Sequence, residues 1–286
     1  MLLTDRLVYV HMPKTGGTFV TSVLERLHQP SPNRLQGLWH RARRHLGRPW
    51  AEAPGKYGRL RNVEPKHGTC HDIPASHAGL PVLSCMRGPW EWYVSQYEFS
   101  WWKRIGQYDP NDPSTPAGWA IERALPAFVK ERPHFPDIGF AEFVELCDRA
   151  ADIYNGETGT DFGLFTHGFV RYFYRDPPAV LRRLSDRYLA SAEHAGDRFD
   201  VTFLSTERLN ADLQRALVRF GYEPDDVAFV GQLGKILPMG IGRREDQRWE
   251  RYYDEALKAS VRQRDRFVFR MFPDYDEASG AMGASA

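Results

Sequence analysis

The chain has 286 residues, 42% of them hydrophobic, enough to build one large α/β domain or two small ones. Its 38 Lys and Arg residues balance 37 Asp and Glu, and a formal net charge of +1 argues against general affinity for nucleic acid or a membrane surface. Cys70, Cys85 and Cys147 are too scattered for a disulfide framework or a zinc pattern, and neither a signal peptide nor an 18-residue apolar run is found, so a cytoplasmic protein without a membrane anchor is expected.

The first element is a short β-prone run, Leu7 to Val10. Pro13 and the Gly16-Gly17 pair break it. Val20, Val23, Leu24 and Leu27 then follow at helical spacing. Strand, loop and helix in this order aim backbone N–H groups and the positive end of a helix at one point, which makes an anion site. Gly16 and Gly17 allow close approach, Thr15 and Thr18 offer hydroxyls, and Lys14 adds a charge. The nucleotide P-loop pattern G-x-x-x-x-G-K-[ST] places its lysine after the last glycine. Here Lys14 comes before both glycines, so a phosphate cradle is expected without the kinase signature.

A Pro-, Arg- and Gly-rich region follows, roughly Gln29 to Tyr57, with a basic run from His40 to His45 that reads as a solvated, partly helical insertion in preference to a basic wall facing an acidic acceptor. Leu60 to Lys66 is a candidate strand, and His67 to Pro74 is polar and turn-like. Pro81 to Met86 is an apolar run suited to a buried parallel strand. Pro89 suits the first turn of a helix over Trp90 to about Lys103. Gln107 to Pro116 reads as loop, Ala117 to Val129 and Phe140 to Ala150 as helices, Asn155 to Gly163 as a Gly-rich loop, and Pro178 to Leu189 as helix. Val201 to Leu204 reads as a buried strand, with Thr206 capping a helix from Glu207 to Phe220. Val230 to Gly242 is a Gly-rich loop, Trp249 to Phe269 a long polar helix, and the tail from Ala278 is expected to be disordered. Alternating strands and helices predict a mostly parallel sheet with helices on both faces. Lys14, His67, Arg87 and Glu207 each follow a predicted strand, so one shared site at the carboxyl ends is expected.

Arg87 ends an apolar strand and Ser95 lies eight residues on, about two helical turns away. A guanidinium and a hydroxyl form a clamp for a second phosphate. The string Pro13-Lys14-Thr15-Gly16-Gly17-Thr18 resembles the 5′-phosphosulfate loop of sulfotransferases that use 3′-phosphoadenosine 5′-phosphosulfate (PAPS). Arg87-x-Pro89 with Ser95 resembles their 3′-phosphate motif, although Gly88 stands where an acidic residue or asparagine is often seen. The resemblance is nearest to the carbohydrate-type and bacterial members. It covers Val8 to Phe19 and Lys66 to Trp102, with a weaker echo from Leu204 to Leu213.

That resemblance implies a three-layer α/β/α, P-loop nucleoside-triphosphate-hydrolase-like fold in a single domain over 1–277. It implies sulfuryl transfer from PAPS to a hydroxyl of a saccharide or small-metabolite acceptor, without a metal. Lys14 would neutralise the leaving oxygen, and Thr15 to Phe19 would hold the 5′-phosphate. Arg87 and Ser95 would hold the 3′-phosphate, and Arg243 and Arg244 would form a late basic loop over the nucleotide. Acceptor specificity would lie in 106–174, and His71, His167 and Arg171 are candidate substrate-binding residues. A general base is needed, and His67 and His71 are the candidates. The first position, directly after a predicted strand, favours His67 as base and leaves His71 supporting or structural. The readings to be set against this one are a P-loop-type ATP-dependent kinase and a non-catalytic nucleotide-binding protein.

Overall fold

A computed structural model describes residues 1–29, 55–103, 121–191, 193–234 and 247–277. The basic run from His40 to His45, the Gln107 to Pro116 loop, Arg243, Arg244 and the tail from Ala278 lie outside these residues.

Among the described residues five strands form one sheet: β1 (Leu2–Thr4), β2 (Val8–Tyr9), β3 (Leu60–Asn62), β4 (Val82–Met86) and β5 (Val201–Ser205), in the order β3-β1-β2-β4-β5. The sheet is mixed rather than mostly parallel. β2, β4 and β5 run parallel, whereas β1 is antiparallel to both β2 and β3. The difference is β1, whose three residues carry no measurable periodicity. Thr4 turns the chain back, since its Oγ1 bonds Leu7 O at 2.9 Å and accepts from Leu7 N. Because β1 opposes both neighbours, β2 and β3 point the same way. The carboxyl ends of β2, β3, β4 and β5 therefore share one edge of the sheet.

Side chains alternate across each strand. Leu2, Tyr9, Leu83, Cys85 and Leu204 join one apolar cluster, with Phe19, Val20, Val23, Leu24 and Leu27 of α1 (Gly17–His28). Leu3, Val8, Met86 and Val201 join the other, with the aromatics of α2 (Pro89–Phe99).

The remaining α-helices of the described residues are α3 (Ile121–Glu131), α4 (Phe140–Thr158), α5 (Leu164–Phe173), α6 (Pro177–Arg183), α7 (Asp186–Ala190), α8 (Glu193–Asp197), α9 (Leu209–Arg219), α10 (Pro224–Val227), α11 (Glu255–Arg264), α12 (Arg266–Met271) and α13 (Asp274–Glu277). α4 runs two turns past its predicted end, through residues expected to form a loop. Asn155 accounts for this: its side chain bonds Phe162 O at 2.9 Å and Phe162 N at 3.1 Å, so the turn is closed by a side chain inside the helix. α5 is absent from the predicted elements, because Leu164 to Phe173 is apolar on nearly every side and is buried throughout except at Arg171. The predicted helix over Pro178 to Leu189 breaks at Leu184 into α6 and α7, and Ser185 caps the second. The predicted long helix over Trp249 to Phe269 is in three pieces: a 3₁₀ turn at Trp249–Arg251, α11 capped by Asp254, and α12, which follows a break at Asp265, fully buried and turned inward. Thr206 is not a cap. Its hydroxyl bonds Met86 O at 2.9 Å and ties β5 to β4, while a single 3₁₀ turn leads into α9.

Among the described residues, no helix is long and apolar enough to cross a membrane, and no group of three or more His, Cys, Asp or Glu side chains could hold a metal ion.

Candidate active site

The loop after β2 is held from three sides. Thr15 is fully buried and its Oγ1 donates to Met12 O at 2.8 Å. Its hydroxyl closes the loop and is not offered to a ligand, a correction to the expectation. Trp92 Nε1 of α2 donates to Pro13 O at 3.1 Å. Gly17 abuts His11, and a Cβ there would fall 1.9 Å from His11 Nε2. Gly17 is thus required by packing.

Gly16 has φ of 96° and Lys14 has φ of 65°. The first suits glycine, whereas the second is strained for any side chain, at a cost on the order of 1–3 kcal/mol. Gly16 also packs on Leu209 and Thr206, whose side chains lie 2.9 and 3.2 Å from its notional Cβ. At the start of α1 the N–H groups of Gly17 and Thr18 have no intrahelical carbonyl to reach. Phe19 N is already bonded to Gly16 O at 3.0 Å, and the Phe19 ring is in the core. Phe19 therefore shapes the loop without contacting an anion.

The Lys14 ammonium lies over the Phe99 ring, 3.9 Å from its centroid. Burial, and then the nearby Arg87 charge, lower its pKa to about 8. Arg87 follows β4 and is mostly buried, with Nε 3.9 Å from Glu91 Oε2. Burial raises the Glu207 carboxyl after β5, Ser205 bonds it, and the charges of Glu91 and Arg87 reach it. Gly88 is explained by Tyr275 of α13, whose ring would lie 3.3 Å from a Cβ at that position. Ser95 is 8% exposed, and its hydroxyl has no hydrogen-bond partner among the described residues. A helical serine ordinarily bonds back to its own backbone or faces water.

His67 sits on the other side of the loop. Its Nδ1 lies 3.1 Å from His11 O, its ring is edge-on to that of His11 at 4.7 Å, and its own carbonyl accepts Tyr172 OH at 3.0 Å. A carbonyl only accepts, so Nδ1 carries the proton and Nε2 the lone pair. Burial lowers the pKa below the usual 6.5, and buried His11 is lowered further for the same reason. Sequence reading missed His11; its one signal was a polar residue ending a buried strand.

His71 Nε2 donates to Tyr174 O at 2.7 Å and its ring packs edge-on against Phe199. It anchors a turn. Arg171 is exposed, beside Tyr172. His167 is a correction: it is 4% exposed, in the α4–α5 interface, with Nε2 donating to Asn155 Oδ1 at 2.9 Å. It is a packing histidine, and burial followed by the Arg264 charge lowers its pKa to about 4.

That depression links His167 to acid stability. The unfolded chain takes a proton at its ordinary 6.5 and the folded chain only near 4, so stability is lost as pH falls through that window. The difference amounts to about 3 kcal/mol across the whole window. The raised carboxyls of Asp148 and Asp265 work in the opposite sense, so the comparison is with His167→Gln. Urea denaturation should show wild type losing stability relative to this variant between pH 6.5 and pH 5. Parallel pH profiles would remove His167 from the acid response.

No family model, curated protein or solved structure matches the chain.

Proposed function

We propose that the chain is a PAPS-dependent sulfotransferase with a three-layer, P-loop-like α/β/α fold, acting on a hydroxyl of a saccharide or small-metabolite acceptor. The observation that carries this is a lysine, an arginine and a buried unpaired serine hydroxyl around one helix-opening loop, at the shared carboxyl edge of β2 and β4.

The residues present suit a nucleotide bearing phosphates at both 5′ and 3′ positions. The Gly17 and Thr18 N–H groups would take the 5′-phosphate. Arg87 and the Ser95 hydroxyl, which makes no hydrogen bond within the fold, would take the 3′-phosphate. When bound, the nucleotide supplies an activated sulfuryl group on a phosphate oxygen. Lys14 would neutralise the charge that develops on the leaving oxygen, and His67 Nε2 would accept the proton of the acceptor hydroxyl. Positioning and electrostatics then provide most of the rate, by analogy with phosphoryl transfer.

Calorimetry with 3′-phosphoadenosine 5′-phosphate and AMP tests the reading. The bisphosphate should bind more tightly, and Arg87→Ala should cost about 2–5 kcal/mol of that affinity, the scale for leaving a desolvated charge without its partner. Equal binding of the two nucleotides by wild type would sink the assignment.

A further inference from the structure

Gln96 is a buried polar residue that the fold does not satisfy. It is 5% exposed, and its side-chain amide has no hydrogen-bond partner among the described residues. Its amide atoms are nevertheless not among the polar atoms sealed from solvent, so they face an opening. An amide that makes no hydrogen bond within the fold and still reaches an opening is available to a ligand.

Its place on α2 shows what it faces. At 3.6 residues per turn, Trp92, Gln96 and Phe99 line one stripe. Trp92 holds Pro13 O, and Phe99 carries the Lys14 ammonium. Gln96 therefore lies alongside the part of the loop that bears Lys14. At roughly 100° per residue, Gln96 and Ser95 fall on opposite sides of the Trp92–Phe99 line. Glu91, paired with Arg87, is on the Ser95 side. Trp92 also stacks on Phe165 of α5, at 4.7 Å. Two turns along α5, Tyr172 OH holds the His67 backbone. Gln96 is thus across that line from Ser95 and from Glu91, the partner of Arg87, and borders the Lys14 side of the loop.

We propose that Gln96 is a ligand-binding residue that donates its side-chain amide to the sulfuryl group held beside Lys14, and so distinguishes the phosphosulfate donor from the bisphosphate product. The inference rests on the sulfotransferase reading above. A neutral amide is suited to this because it supplies donors to sulfuryl oxygens without adding a second cation to compete with Lys14.

The test compares wild type, Gln96→Leu and the isosteric Gln96→Glu by calorimetry with PAPS and with 3′-phosphoadenosine 5′-phosphate, without acceptor, alongside unliganded melting temperatures. Gln96→Leu should melt near the wild-type temperature or above it, because the amide makes no hydrogen bond within the fold that the variant would lose. Its affinity for PAPS should fall about tenfold or more, the scale of one hydrogen bond to a charged group. Its affinity for the bisphosphate should stay within about twofold, since that ligand lacks the group being read. Gln96→Glu should lose more PAPS affinity than Gln96→Leu, because a carboxylate would face the sulfuryl anion. A lower melting temperature for Gln96→Leu, or equal losses for both nucleotides, would show a packing role and overturn the proposal. PAPS affinity unchanged in both variants would overturn it as well. Failure of wild type to bind either nucleotide would instead remove the sulfotransferase reading, and this inference with it.

Discussion

His67→Ala is expected to lower turnover by about 10²–10⁴-fold, the usual worth of a general base, with bisphosphate affinity little changed. The orientation of the ring is the reason. The His11 carbonyl fixes the proton on Nδ1, which leaves Nε2 as the acceptor. Burial holds the imidazole below its ordinary 6.5, so it is neutral and competent at pH 7. Loss of rate on the acid side should accordingly begin below pH 6.5 as the ring protonates, and this limb should vanish in His67→Ala. His11 contributes by staying neutral: it is buried and held well below the usual histidine range, so it adds no second charge when His67 takes a proton. His71→Ala should alter stability more than rate, because its Nε2 is committed to Tyr174 O. Activity lost in His71→Ala but kept in His67→Ala, acid limb included, would reverse the assignment. If neither histidine matters, the exposed carboxylate of Glu64, which accepts Lys66 N at 3.0 Å, becomes the remaining candidate.

The legible parts of this chain were those where chemistry and local geometry agree. Pro13, Gly16 and Gly17 end a strand and open a helix, and both glycines have a physical necessity: a positive φ at Gly16, and the His11 ring against Gly17. Arg87 could be placed because an apolar run and Pro89 bracket it. What could not be read was set by distant partners. Thr15 looked like a ligand hydroxyl and instead closes the loop on Met12. Asp265 breaks a predicted helix because Thr166 N, Thr166 Oγ1 and Tyr93 OH all donate to its carboxylate, at 2.8, 2.8 and 2.9 Å. Those partners are about a hundred residues or more away in the chain, beyond any window of periodicity. His167 resembled a site residue because a histidine's type says nothing of its burial. The strand β1, three residues long, is visible only through its pairing with β2 and β3.

Lys14→Ala should reduce turnover by about 10²–10³-fold, the scale of one donor aimed at charge that develops in the transition state, while the unliganded protein melts near the wild-type temperature. The ammonium rests on the face of Phe99 with no carboxylate partner among its described contacts, so removing it breaks no strong native ion pair. Its backbone strengthens the contrast. With φ of 65°, Lys14 occupies a conformation that costs a side chain on the order of 1–3 kcal/mol, so Lys14→Gly should be more stable than Lys14→Ala and equally inactive. Burial and the Arg87 charge lower the lysine to about 8, and the protonated form is the one that stabilises a leaving oxygen. The kcat/KM for PAPS should therefore decline above about pH 8 in wild type, since that parameter reports ionisations of the free enzyme. In Lys14→Arg, whose guanidinium stays charged throughout, the alkaline decline should be absent from whatever activity remains. An alkaline limb that persists in Lys14→Arg, or near-normal turnover in Lys14→Ala, would place the stabilisation of the leaving oxygen on another residue.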